Sequence, residues 1–149
     1  MKLQLLLCVI LLTSCQSVKN AAIIDKTMLS NKTELNGIWA LNSINGEALN
    51  TKILIKKAIL ELDISNNRVS GNDGCNRFTG KIDKVDTLVL VFSKFIGTEM
   101  ACPNMEVSSA INQALRQVQS YKIEDSQLFL YDANKKEVLN YKQDLKKRY

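Results

Sequence analysis

The chain contains no histidine, which removes the commonest general base and the commonest metal ligand together. Long apolar runs are also missing. The longest, Leu3 to Leu12 with Gln4 inside it, is too short to span a bilayer comfortably. Massed basic charge is absent as well. Lysine and arginine number 20 against 15 acidic residues, a formal net charge of +5, but the lysines are scattered and do not interleave with aromatics. No recognised motif for nucleic acid is present, so no nucleic-acid partner is expected. The glycines of Gly71-Asn72-Asp73-Gly74 lack the lysine and the spacing of a phosphate loop. Asp63 to Asn67 lacks the glycine and terminal glutamate of an EF-hand. No serine sits in a nucleophile elbow. These gaps leave no catalytic residue, no cofactor and no metal site to nominate.

What is present begins with a leader. Met1-Lys2 is a short positive start, and the apolar run that follows fits a signal segment over residues 1–14. Leu12-Thr13-Ser14-Cys15 resembles a bacterial lipobox. That resemblance implies a lipidated Cys15 as the first mature residue, with acyl chains that make a lasting membrane anchor. Gln16 follows the cysteine. By analogy with known sorting rules, a residue other than aspartate there favours the outer membrane, facing the periplasm. Residues 15–34 then read as the lipidated cysteine and a flexible tether, with an end-to-end distance of about 20–25 Å.

The rest of the chain is organised around Ser70-Gly71-Asn72-Asp73-Gly74-Cys75-Asn76-Arg77-Phe78-Thr79-Gly80. Glycine and asparagine tolerate positive φ, so this stretch makes a tight bend. A second cysteine motif follows in Gly97-Thr98-Glu99-Met100-Ala101-Cys102-Pro103. Together, Gly-Cys-Asn-x-Phe-x-Gly and Met-Ala-Cys-Pro resemble the META domain, also called the HslJ-like family. Gly37-Ile38-Trp39 with Asn45-Gly46, and Leu128-x-Leu130-x-Asp132, resemble the start and end of that domain. The resemblance implies a curled sheet or small barrel with a helix against it, similar in shape to a lipoprotein pilotin. It brings a link to heat shock and drug resistance but no settled biochemical activity.

Of the four cysteines, Cys8 leaves with the leader and Cys15 carries lipid, so Cys75 and Cys102 allow one pairing within the chain. An oxidising compartment favours a disulfide; two buried thiols or a reactive thiol are the alternatives. A reactive thiol wants a partner that lowers its pKa, and there is no histidine to serve.

Hydrophobic patterning supplies the elements. Ile38 to Ile44 alternates as a strand and ends at Asn45-Gly46, a strong hairpin signal. Ala58, Leu60, Leu62 and Ile64 share one face of a second strand, which turns at Asn66-Asn67 into Arg68 to Ser70. After the bend, Phe78, Gly80 and Ile82 share a face, and Gly80 signals a bulge or a close neighbour. Thr87 to Phe92 is apolar on both faces and reads as a central strand, with a further strand over Phe95 to Met100. Pro103 opens a helix whose stripe is Val107, Ile111, Ala114, Leu115 and Val118; Ser108, Asn112, Gln113, Arg116 and Gln117 are expected to face water. Three short strands follow at Tyr121–Ile123, Gln127–Tyr131 and Glu137–Tyr141.

The expected fold class is α+β, a curled antiparallel β-sheet or small barrel of about seven or eight strands with one packed α-helix. The domain spans 35–142, and 143–149 is a basic tail. Trp39, Phe78, Phe92 and Phe95 are the candidates for a ligand-binding mouth, against core packing for each. Asp73 and Glu99 stand beside the two cysteine motifs, as a carboxylate pair or as a turn cap and a strand surface. The expected function is a non-enzymatic, membrane-anchored envelope protein with a structural or binding role. The alternative is a carrier that holds an apolar ligand or lipoprotein tail in the barrel mouth, and the expected partners are an envelope protein or an apolar ligand.

Overall fold

A computed structural model describes residues 32–103 and 105–144. The leader, Cys15, most of the tether and the residues after Asp144 lie outside the described residues. Nine strands form one antiparallel sheet: β1 Gly37–Ile44, β2 Glu47–Ala48, β3 Ile59–Asp63, β4 Arg68–Asn72, β5 Arg77–Val85, β6 Leu90–Gly97, β7 Ser120–Glu124, β8 Gln127–Tyr131 and β9 Glu137–Gln143. Eight of them run in the order β6-β5-β4-β3-β1-β9-β8-β7, and β2 is a short extension of the β1 hairpin. The helix α1, Met105–Gln117, is inserted between β6 and β7.

Most of the turns obey their sequence signals. Asn45 and Gly46 both take positive φ between β1 and β2, as do Asp125 and Ser126 between β7 and β8. Asn67 does so between β3 and β4. In β1, β3 and β8 the buried apolar set points one way. Trp39 and Leu41 in β1, Leu60 and Leu62 in β3, and Leu128 and Leu130 in β8 are all buried.

The sheet twists until its two ends meet. Val89 bridges to Ser120, and the Tyr121 N–H donates to the Leu88 carbonyl at 3.0 Å. The result is a curled half-barrel with α1 on its concave side, touching β9, β1 and β6. Leu35, from the helical turn at 32–35, enters the same core, and its carbonyl accepts the Trp39 indole N–H at 2.9 Å. Among the described residues, all of the core side chains lie between Leu35 and Tyr141. The Tyr141 phenol is buried and burial raises its pKa; burial, with Asp86 and Glu34 adding, pushes Tyr121 up to about 12.

Two readings of the strands need correction. Thr87–Phe92 and Phe95–Met100 are not a central strand and a separate one. They belong to a single strand, β6, that starts at Leu90, ends at Gly97 and lies at one end of the sheet order. Of the apolar residues in Thr87–Phe92 only Leu90 and Phe92 are buried; Val89 and Val91 are half-buried and Leu88, ahead of the strand, is exposed. Lys94, at positive φ, takes up an extra residue where the β5–β6 register shifts. That shift lies opposite Gly80, where an added Cβ would sit 2.8 Å from the Phe95 ring. The helix also starts later than the sequence suggests, at Met105, with Pro103 in the turn ahead of it.

Candidate functional site: the bend, the disulfide and the groove beside them

Gly71 and Gly74 make the bend possible. A side chain at Gly71 would run into the backbone carbonyl of Ile59 on the neighbouring strand. Gly74 takes φ +93° and an added Cβ there would lie 2.7 Å from Leu54. The chain between them folds inward, so Asn72, Asp73, Cys75 and Asn76 are all buried.

Asp73 is the hub. One carboxylate oxygen accepts the backbone N–H groups of Cys75 at 2.9 Å and Asn76 at 2.6 Å. The other accepts the Ser108 hydroxyl at 2.6 Å and the Asn112 amide at 2.7 Å, both from α1. Four donors satisfy a side chain that is only 1% exposed. Ser108 and Asn112 therefore do not face water, as their place beside the apolar stripe suggested; they turn toward the bend. The pattern carried a signal for this. Ser108, Ile111, Leu115 and Val118 follow helical spacing, so Ser108 occupies a core position and needs a buried partner.

Asn76 performs the equivalent task for the second cysteine motif. Its carbonyl oxygen accepts the Met100 N–H at 2.8 Å and the Thr98 hydroxyl at 2.7 Å, and its amide donates to the Met100 carbonyl at 3.4 Å. Asn76 serves as a side-chain substitute for a strand partner. Cys75 and Cys102 complete the junction as a disulfide, with Cα atoms 6.1 Å apart. The two cysteine motifs lie side by side.

Beside this junction is an open groove of about 720 Å³ between the end of β6, the loop after it and α1. Phe78 and Phe95 stand on its wall, with Ile96, Met100 and Met105. The last three are exposed, Ile96 by 70%. Phe95 meets Phe78 and Phe92 edge to face at 5.8 and 6.0 Å, and the Arg116 guanidinium stands 5.6 Å over the Phe95 ring. Arg77 and Arg116 line the groove, and neither has a carboxylate partner among the described residues. Of the four aromatic candidates, Phe78 and Phe95 come together here. Trp39 and Phe92 lie in the core and do not line the groove. Asp73 and Glu99 both line it, but both Asp73 oxygens are already engaged and Glu99 is exposed. Among the described residues no group of three His, Cys, Asp or Glu side chains is placed to hold a metal ion.

A half-barrel with one packed helix, whose two cysteine loops are bridged beside the helix start, defines a small disulfide-locked β-domain. The chain belongs to the META domain family, whose model matches residues 32–145. Three solved structures show the same fold. One, determined by NMR, is 25% identical over 73% of this chain and 90% of its own, with a TM-score of 0.57. A second, an NMR structure of a protein from Burkholderia xenovorans, is 22% identical over 78% of this chain and 88% of its own, with a TM-score of 0.58. The third, a crystal structure of a DUF4847 family protein from Bacteroides vulgatus, is 12% identical over 79% of this chain and 99% of its own, with a TM-score of 0.57. No curated protein matches the chain. Neither the family nor these structures carries a sign of catalytic activity.

The bridge closes a loop across a sequence separation of 27. Replacing both Cys75 and Cys102 by serine is expected to cost about 3.5 kcal/mol on the chain-entropy account, read as a lowered midpoint in urea. Reduction of the folded domain by an external thiol should add the mass of two hydrogen atoms. An unchanged mass would contradict the bridge.

Proposed function

We propose that this protein is a non-enzymatic envelope lipoprotein whose META domain has a binding or structural role. The observation that carries this reading is the Cys75–Cys102 disulfide, in a chain that also carries the Leu12-Thr13-Ser14-Cys15 lipobox pattern. A bridge of this kind persists outside the reducing cytoplasm. The lipobox pattern supports an anchor at Cys15 in that same oxidising space, with the domain held off the membrane, most simply on the periplasmic face of the outer membrane. Residues that would serve chemistry are instead committed to structure, Asp73 to the helix and Asn76 to the second loop. Growth of the producing bacterium with labelled palmitate tests the anchor. Label should enter the wild-type protein, and Cys15→Ala should abolish it and release the protein from the membrane fraction. An unlabelled wild type, or a Cys15→Ala protein still held on membranes, would contradict the proposal.

The second reading, a carrier for an apolar ligand, is favoured by one observation. Ile96, Met100 and Met105 are exposed together along a groove that also has two guanidinium groups, Arg77 and Arg116, without a carboxylate partner among the described residues. Methionines adapt to differently shaped apolar partners. The ligand would lie in this outer groove, because side chains fill the half-barrel interior. Titration with a fluorescent fatty acid tests it: Ile96→Asp and Met100→Asp should each weaken binding by about tenfold. Undiminished binding by both would contradict a role for the groove.

A further inference from the structure

A second exposed apolar feature lies on the loop between β2 and β3, none of whose residues lines the groove. Its sequence is Lys52-Ile53-Leu54-Ile55-Lys56-Lys57. Leu54 packs inward against Gly74 and the core, and the Lys56 N–H donates to the Gly74 carbonyl at 3.1 Å. Alternation about that anchor turns Ile53 and Ile55 outward, 40% and 56% exposed. Asn50 caps the turn Thr51–Ile53 through the Lys52 N–H at 3.2 Å. The two isoleucines are thus held at the surface by a fixed loop, with lysines on both sides.

The three charged residues of the loop, Lys52, Lys56 and Lys57, are all basic. Lys52 and Lys56 have no ion-pair partner among the described residues. Lys57 pairs with Asp144 at 2.8 Å, and the Asp144 N–H is fixed to the Ile38 carbonyl at 2.8 Å. The chain therefore leaves the described fold beside Lys57, and the next five residues are Leu145-Lys146-Lys147-Arg148-Tyr149. Two exposed apolar side chains flanked by Lys52 and Lys56, which have no ion-pair partner among the described residues, complement a surface that is anionic outside and apolar beneath.

We propose that the Lys52–Lys57 loop is a docking surface for a bilayer of anionic phospholipid, with Ile53 and Ile55 entering the interface and the lysines meeting lipid phosphates. The occupant is a lipid surface, since a free phosphate ion would leave both isoleucines exposed. Docking goes beyond the anchor: it would set which face of the domain meets the membrane and turn the groove in a fixed direction. It does not require acylation of Cys15.

The test uses the chain from Gln16 to Tyr149. This retains all of the core formed by the described residues, and the solved relatives consist almost wholly of the matched fold, 88–99% of their length. Sedimentation with vesicles of phosphatidylglycerol and phosphatidylethanolamine is compared with sedimentation with neutral phosphatidylcholine vesicles. The parent should bind the anionic vesicles and release them in high salt. Lys52→Glu with Lys56→Glu should weaken binding by at least about fivefold per lysine, and Ile53→Asp with Ile55→Asp by about tenfold or more. Lys84→Glu with Lys94→Glu, which changes net charge equally elsewhere, should have a much smaller effect. All four altered side chains of the loop are exposed and outside the core, so the variants should keep the parent's urea midpoint. Failure of the parent to bind anionic vesicles, unchanged binding by the isoleucine variant, or an equal loss from the Lys84/Lys94 variant would overturn the proposal. A Cys15 that carries no lipid would leave these results unaffected.

Discussion

The Asp73 carboxylate has one oxygen turned to the bend that carries it and the other turned to α1, and these bonds join two parts of the chain that the sheet does not connect. An acidic side chain buried to this degree is stable only when donors replace the water it has lost. Two backbone N–H groups and two side chains of α1 do so. The helix is therefore fixed in rotation as well as position, because Ser108 and Asn112 must both reach one oxygen. With α1 oriented, Ile111, Ala114 and Leu115 enter the concave face and Arg116 comes to rest over Phe95.

The second cysteine motif depends on the same bend. Once Gly71 and Gly74 let the chain fold inward, Asn76 presents its amide to the backbone of Met100, and Cys75 meets Cys102. Polar latch and covalent bridge act on one loop from adjacent residues. The Gly-Cys-Asn sequence thus has a physical reading. Glycine permits the turn, cysteine supplies the bridge, and asparagine replaces a missing strand partner. The groove is a consequence of this arrangement, since the latched loop forms one wall and the oriented helix the other.

Much of this was legible in the residues, and the exceptions share a cause. Alternation in Ala58–Ile64, the turn at Asn45-Gly46 and the bend itself are local signals, set by neighbours in sequence. Cysteine counting made the Cys75–Cys102 pair available, though thiols stayed open until the two loops were seen together. What escaped were long-range effects. Thr87–Phe92 looked central because it is apolar on both faces, yet pairing with β5 puts it at one end of the sheet order, with Leu90 and Phe92 buried and Leu88 exposed. Asn112 looked solvent-facing because its partner lies 39 positions away. Of the four aromatic candidates Trp39, Phe78 and Phe92 are core residues, and only Phe78 and Phe95 also reach the groove wall, because hydrophobicity alone does not say which buried ring borders a cleft.

The Asp73 contact is what makes the bend, the helix and the groove one unit. A double-mutant cycle between Asp73→Ala and Ser108→Ala, followed by urea unfolding, tests this most directly. Coupled buried partners should show an interaction energy of at least about 1.5 kcal/mol, with Asp73→Ala alone the larger loss because it strands four donors. Losses that add to within about 0.5 kcal/mol would mean the two side chains act independently and would contradict the account.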